Sequence, residues 1–265
     1  MIIQKSYTKQ FITLFFVLVM TLLVSISLGS VSIPMDEIIA VLSGNNSSKS
    51  SWSTIILHFR LPKAITAMLV GSGLSIAGLL MQTLFKNPLA GPFVLGISSG
   101  ASLGVAILIL GAGIFGGVLT AISFSSWGLA IASSLGAAIV LLAVLITAHK
   151  VRNTMSILII GLMFGTVTSA IISVFTFFSD AEKIQQFVFW GFGSLGNLAW
   201  NEVLIFFIIY LIAVLNLFQI ITPLNTFLLV ENYSKILGIN IKKSKNIIFL
   251  ITSLLTGYIT SFSCP

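Results

Sequence analysis

The sequence predicts an all-α polytopic membrane protein, and three observations carry that reading. Of 265 residues, 57% are hydrophobic and 7% are charged, against roughly a quarter charged in an ordinary soluble domain. No charged side chain occurs from Asn87 to His149, from Asn153 to Ser179 or from Val203 to Val230. The apolar residues recur in runs long enough to cross, as helices, the roughly 30 Å of a bilayer's hydrocarbon. Thirteen bases and six acids cannot cover a soluble fold of this size. Hydrocarbon is therefore the solvent.

Seven spans follow in order: Phe11–Leu28, Ala64–Phe85, Phe93–Gly113, Gly128–Ala148, Met155–Phe178, Val203–Ile221 and Ile247–Phe262. Together they make residues 1–265 a single transmembrane domain, with no room for a separate soluble domain. Lys5 and Lys9 precede the first span and small residues follow it, as in a signal peptide. Its apolar stretch is longer than a usual signal core and no Ala-x-Ala site follows, so it reads as a retained helix. The single cysteine, Cys264, allows no intrachain disulfide.

Basic residues orient the chain. With a cytoplasmic N-terminus, Lys5, Lys9, Lys86, Lys150, Arg152, Lys235, Lys242, Lys243 and Lys245 fall inside. Lys49, Arg60, Lys63 and Lys183 fall outside, and nine against four obeys the positive-inside bias. The acids distribute oppositely, with only Glu231 inside. Two long external connections result, 29–61 and 180–202, and one long internal connection, 222–246. The last reads as a short helix over Leu229–Leu237, a stop at Gly238 and a basic run. Small residues at Gly71-Ser-Gly73, Gly78 and Gly161-x-x-x-Gly165 suit close helix packing in lipid.

One stretch is more specific. Arg60-Leu-Pro-Lys63, Gly71-Ser-Gly73, Gly78, Gln82, Lys86-Asn-Pro-Leu-Ala90, Pro92 and Leu95-Gly-Ile-Ser-Ser-Gly-Ala101 follow one another across some forty residues. In this order they resemble the signature of the FecCD-type permeases, the family of iron–siderophore, haem and vitamin B12 importers. Gly29 to Leu42, Trp190-Gly-Phe-Gly-Ser-Leu195 and 229–240 resemble the family at matching places. The resemblance implies a permease subunit of an ABC importer with about ten helices in the bacterial cytoplasmic membrane. It also implies three kinds of partner: a second permease subunit, cytoplasmic ABC ATPase subunits and an extracytoplasmic substrate-binding protein. Membrane lipid is the surrounding solvent, and nothing in the chain points to nucleic acid. Iron–siderophore is the expected cargo; haem and cobalamin are alternatives.

The resemblance also assigns residues. Arg60 and Lys63, three apart at the external end of the second span, would accept acids of the binding protein; complementary rim charges favour orientation and on-rate. Snorkelling anchors at a helix end are the plain alternative. Lys63 stands where the family more often has Arg, which weakens bidentate pairing. Asn87 and Leu89, around Pro88, would form part of the cytoplasmic gate, with Thr154 and Met155 as its second element. Gly161, Thr166, Thr168 and Ser169 would give the fifth span a small, weakly polar channel wall. Glu231, Tyr233, Ser234, Leu237 and Gly238 match the loop that couples to the ATPase, although an amphipathic interfacial helix with lipid-binding lysines would share that pattern.

The absences bear on mechanism. No Gly-x-x-x-x-Gly-Lys-Ser/Thr loop occurs, so the chain is expected to be a transport subunit, not an enzyme, whose ATP is hydrolysed by a partner. No span holds Asp, Glu, Lys or Arg at its centre, which disfavours the rival reading of an ATP-independent carrier or channel. His58 and His149 lie far apart, so no metal site or cofactor is expected. The family continues past a Cys-Gly-Pro with about three more helices, whereas this sequence ends at Ser263-Cys264-Pro265. A fragment or frame-shifted product is expected, with its seventh helix orphaned.

Overall fold

The computed structural model describes residues 7–45, 47–111, 126–151, 154–196, 198–227 and 241–263. Every regular element among them is helical: α1 Thr8–Ser27, α2 Met35–Leu42, α3 Ser50–Ile55, α4 Leu61–Phe85, α5 Ile97–Ile109, α6 Ser126–Lys150, α7 Thr154–Phe177, α8 Ala181–Gly191, α9 Trp200–Phe227 and α10 Ile241–Phe262. A π-helical turn, Ile56–Arg60, joins α3 to α4, and a 3₁₀ turn, Pro92–Leu95, precedes α5. Among the described residues, six helices are long and apolar enough to cross a membrane: α1, the run Ser50–Phe85, α6, α7, α9 and α10.

Six of the seven expected spans coincide with these helices, and the differences at their ends have physical causes. The second span begins not at Ala64 but at Ser50, because polar residues beyond the hydrocarbon still continue a helix. For the same reason α10 starts at Ile241, ahead of three lysines. The helix α9 runs through Pro223 to Phe227, past the expected stop at Ile221. The third span is a correction: Phe93–Gly113 is not one helix. Gly96 sits at φ 72°, a left-handed joint that separates the 3₁₀ turn from a 13-residue α5.

The described residues form two compact units. One comprises Met1–Met68 and Gly196–Val203. Its core is Ile26, Ile33, Ile38, Val41, Ile56 and Ala64, drawn from α1, the connection after it, α2, the π turn and the start of α4. Pro34 opens α2 with Asp36 and Glu37 in the first turn, where carboxylates complement the helix dipole. Along most of its length α1 exposes apolar side chains on all faces, as a lipid-facing helix does.

The other unit comprises Leu69–Leu195 and Leu204–Pro265. Its centre is α5 against α6, and small residues set the distance: a Cβ on Gly100 would lie 2.7 Å from the Gly136 carbonyl oxygen. Such backbone contact is how spanning helices associate where lipid removes the hydrophobic drive between them. Ile248, Phe249, Ile251, Leu255 and Ile259 of α10 are buried in this core. Hydroxyls add to its seat: Ser98 meets Thr260 at 3.3 Å, and Ser134 meets Ser261 at 2.9 Å.

Candidate functional site

Three local arrangements contain the expected site residues. The first is the rim at Arg60 and Lys63, wholly within the first unit. Pro62 shapes it. A proline has no N–H to donate, so a carbonyl one turn earlier loses its partner. Here the ladder opens into a π turn, in which the Leu61 N–H reaches back five residues to the Ile56 carbonyl. In that register Pro62 faces Leu57, and the Leu57 carbonyl instead accepts the indole N–H of Trp200 at 2.9 Å. Trp200 is held by its own helix start. Glu202, 8% exposed, returns its carboxylate to the Ala199 N–H at 2.9 Å, one half of a capping box.

Arg60 ends the π turn, half-buried. Its Nη1 donates to the carbonyls of Ile26 at 2.6 Å and Ser27 at 2.8 Å, and its Nη2 donates to Val31. These are the open carbonyls of the C-terminus of α1 and of the strand of chain that leaves it, where a cation also opposes the helix dipole. Lys63 is exposed, and its ammonium makes no hydrogen bond or ion pair with the described residues. Both bases line one cavity of about 380 Å³, together with Gly29, Phe59 and Gly196.

Across α2 lies a smaller arrangement. Ser48 donates its hydroxyl to Oε1 of Glu37 and its backbone N–H to Oε2, the latter at 3.0 Å. The hydroxyl first, then the backbone N–H, holds the Glu37 carboxyl below its ordinary range.

The second arrangement is the turn after α4. Lys86 adopts φ 49° and closes the helix in a Schellman pattern, with Asn87 N–H on the Gln82 carbonyl at 3.1 Å. The Asn87 side-chain oxygen then accepts the Leu89 N–H at 2.9 Å, and the Ala90 N–H returns to the Asn87 carbonyl at 3.1 Å. The turn is thus locked by its own bonds, with Leu89 88% exposed at its tip and Ala90 buried. Asn87 and Leu89 therefore play different parts: the amide braces the turn and the leucine projects from it.

The third arrangement is a recess of about 370 Å³ where the 3₁₀ turn and α5 meet α7. Phe93, Gly96 and Ser99 line one side; Gly161, Thr166 and Ser169 line the other. Gly96 and Gly165 make the approach possible, since a Cβ on Gly96 would lie 3.1 Å from the Gly161 carbonyl oxygen. The wall hydroxyls that α7 supplies are bonded within that helix: Thr166 to Met163 at 2.8 Å and Ser169 to Gly165 at 3.0 Å. Such a wall offers lone pairs but few free donors. Thr168 is buried and bonds Gly165, so it belongs to the packing and not to the recess.

Met155 lies in the first turn of α7, 42% exposed. Thr154 begins the same helix, and its side chain lies outside the described residues. So do Glu231, Tyr233, Ser234, Leu237 and Gly238, together with the whole of 228–240. Trp200 was not among the residues expected from the sequence, and Gly29 and Gly100 were expected only as parts of longer matching stretches. Pro62 was the available signal for the first, because a proline early in a helix implies an orphaned carbonyl that some donor must satisfy.

Comparison with known proteins places this geometry. The chain is 38% identical over 197 residues to an iron chelatin transport system permease protein of Helicobacter pylori, covering 74% of this chain and 56% of that protein. It is 30% identical over 256 residues to the molybdate import system permease protein MolB of Haemophilus influenzae, covering 94% of this chain and 73% of that one. A solved structure, an inward-facing conformation of a metal-chelate type ABC transporter, matches with a TM-score of 0.79 at 28% identity, over 98% of this chain and 77% of that chain. The chain thus spans little more than half the length of the Helicobacter relative. The profile of the FecCD transport family matches residues 17–265, and with the shared fold and these identities the chain belongs to that family.

Proposed function

We propose that this chain is a permease subunit of a binding-protein-dependent ABC importer in the bacterial cytoplasmic membrane, and that it carries a ferric siderophore. The observation that carries the reading is the recess between the Leu95–Ala101 motif and α7. On its α7 side the wall is made of Gly161, Leu162 and Gly165 and of the Thr166 and Ser169 hydroxyls already bonded to their own helix, facing Phe93, Gly96 and Ser99. A large chelate passes such a surface without being held, and weak binding inside favours release. The alternating access that moves it is driven by a separate ATPase, reached through the 229–240 loop. The Leu89 turn and the start of α7, with Thr154 and Met155, serve as the cytoplasmic gate. A second permease subunit supplies the facing wall, and the rim bearing Arg60 and Lys63 docks the external binding protein.

Relatives differ in cargo: the Helicobacter protein is named for an iron chelatin and the Haemophilus protein for molybdate. Iron is preferred here on the higher identity of the first, and because the described residues that line the recess include no cationic side chain for an oxyanion. Uptake assays decide it. Cells lacking the gene should lose accumulation of radiolabelled iron given as siderophore chelates and keep molybdate uptake. Loss of molybdate uptake with iron unaffected would overturn the cargo assignment.

A further inference from the structure

The rim does not treat its two bases alike. We infer that Arg60 is a positioning residue whose guanidinium clasps the chain leaving α1, and that Lys63 is the base of the rim whose charged donors are all open to a carboxylate-bearing partner. This deepens the docking reading above and rests on it for the role of Lys63.

The guanidinium carries five donors in a planar fork, which matches a carboxylate only when two of them point the same way. Three of the four Nη hydrogens of Arg60 are already committed, to Ile26, Ser27 and Val31, so the end-on fork is taken up by the chain itself. The connection is built around that fork. Gly29 passes so close that a Cβ there would lie 2.9 Å from Nη2. The Ser27 hydroxyl donates to the Ile33 carbonyl at 3.2 Å, folding 27–33 into a loop closed over the arginine. From the other side the π turn that carries Arg60 is braced by Trp200. Grasping a partner's carboxylate with the Nη fork would release the end of α1. The Lys63 ammonium, by contrast, is exposed in the same cavity with all three donors open among the described residues.

Hydrogen–deuterium exchange on the full chain in lipid nanodiscs tests the clasp. Arg60→Ala should speed exchange across 27–33 by about tenfold or more, as loss of hydrogen bonds to a charged group implies. Arg60→Lys should restore part of the protection, because an ammonium reaches the carbonyls without the fork, and Lys63→Ala should leave the segment unchanged. Exchange across α5 and α6 serves as the folding control. Where Arg60→Ala disturbs that control, the Arg60→Lys result decides. In parallel, a membrane-impermeant amine-acetylating reagent should modify Lys63 in the wild-type chain as fast as a lysine in an unstructured peptide. Unchanged exchange across 27–33 in both Arg60 variants, or a Lys63 protected from the reagent, would overturn the inference. Neither measurement uses a binding protein, so failure of the docking reading would leave both results standing.

Discussion

Single residues set the shape of each candidate site through backbone chemistry more than through charge. Gly96 is the plainest case. At φ 72° an alanine is strained by roughly 1–2 kcal/mol, and its Cβ would press on the Gly161 carbonyl oxygen. Gly96→Ala should therefore lose about 2 kcal/mol or more, seen as a fall in the thermal unfolding midpoint in detergent. Glu37 makes a second prediction, with a definite sign. Its carboxyl is lowered in the folded chain, chiefly by the Ser48 hydroxyl. The contribution is present above the ordinary carboxylate range and is lost as pH falls through the lowered value. Exchange at Ser48 should stay slow at neutral and mildly acidic pH and accelerate only in stronger acid. In Glu37→Gln that acid step should vanish.

Elements show what a sequence reveals and what it hides. Long apolar runs were legible because hydrocarbon imposes their length, and α1, α6 and α7 lie within three residues of where hydropathy puts them. The start at Ser50 was not legible, because hydropathy marks the lipid and not the helix end. The break at Gly96 was hidden because a glycine in an apolar run reads equally well as packing or as a joint. The rim was half legible: Arg60 and Lys63 do share a cavity, but spacing cannot say which way a long side chain turns. The π turn explains the difference and can be tested on its own. Trp200→Phe keeps the ring and removes the hydrogen bond to the Leu57 carbonyl. It should cost about 1 kcal/mol, with faster exchange confined to 55–61 and the α5–α6 pair unaffected.

On the scale of the whole molecule, an import role depends on which parts of the chain face which side of the membrane. The bias of basic residues favours a cytoplasmic N-terminus, and the six candidate spans among the described residues, with the shorter α5, are consistent with that alternation. The proposed import role then requires the rim at Lys63 to face outward, toward a binding protein, and the Leu89 turn to face the cytoplasm, toward an ATPase. Both side chains are exposed and accessible to reagents. The most direct test is side-specific labelling in a chain whose only native cysteine has been replaced, Cys264→Ser, with Lys63→Cys or Leu89→Cys added singly. In intact spheroplasts an impermeant maleimide should label the cysteine at position 63 at once and that at position 89 only after permeabilisation. Labelling of both from outside, or of position 89 alone, would contradict the account.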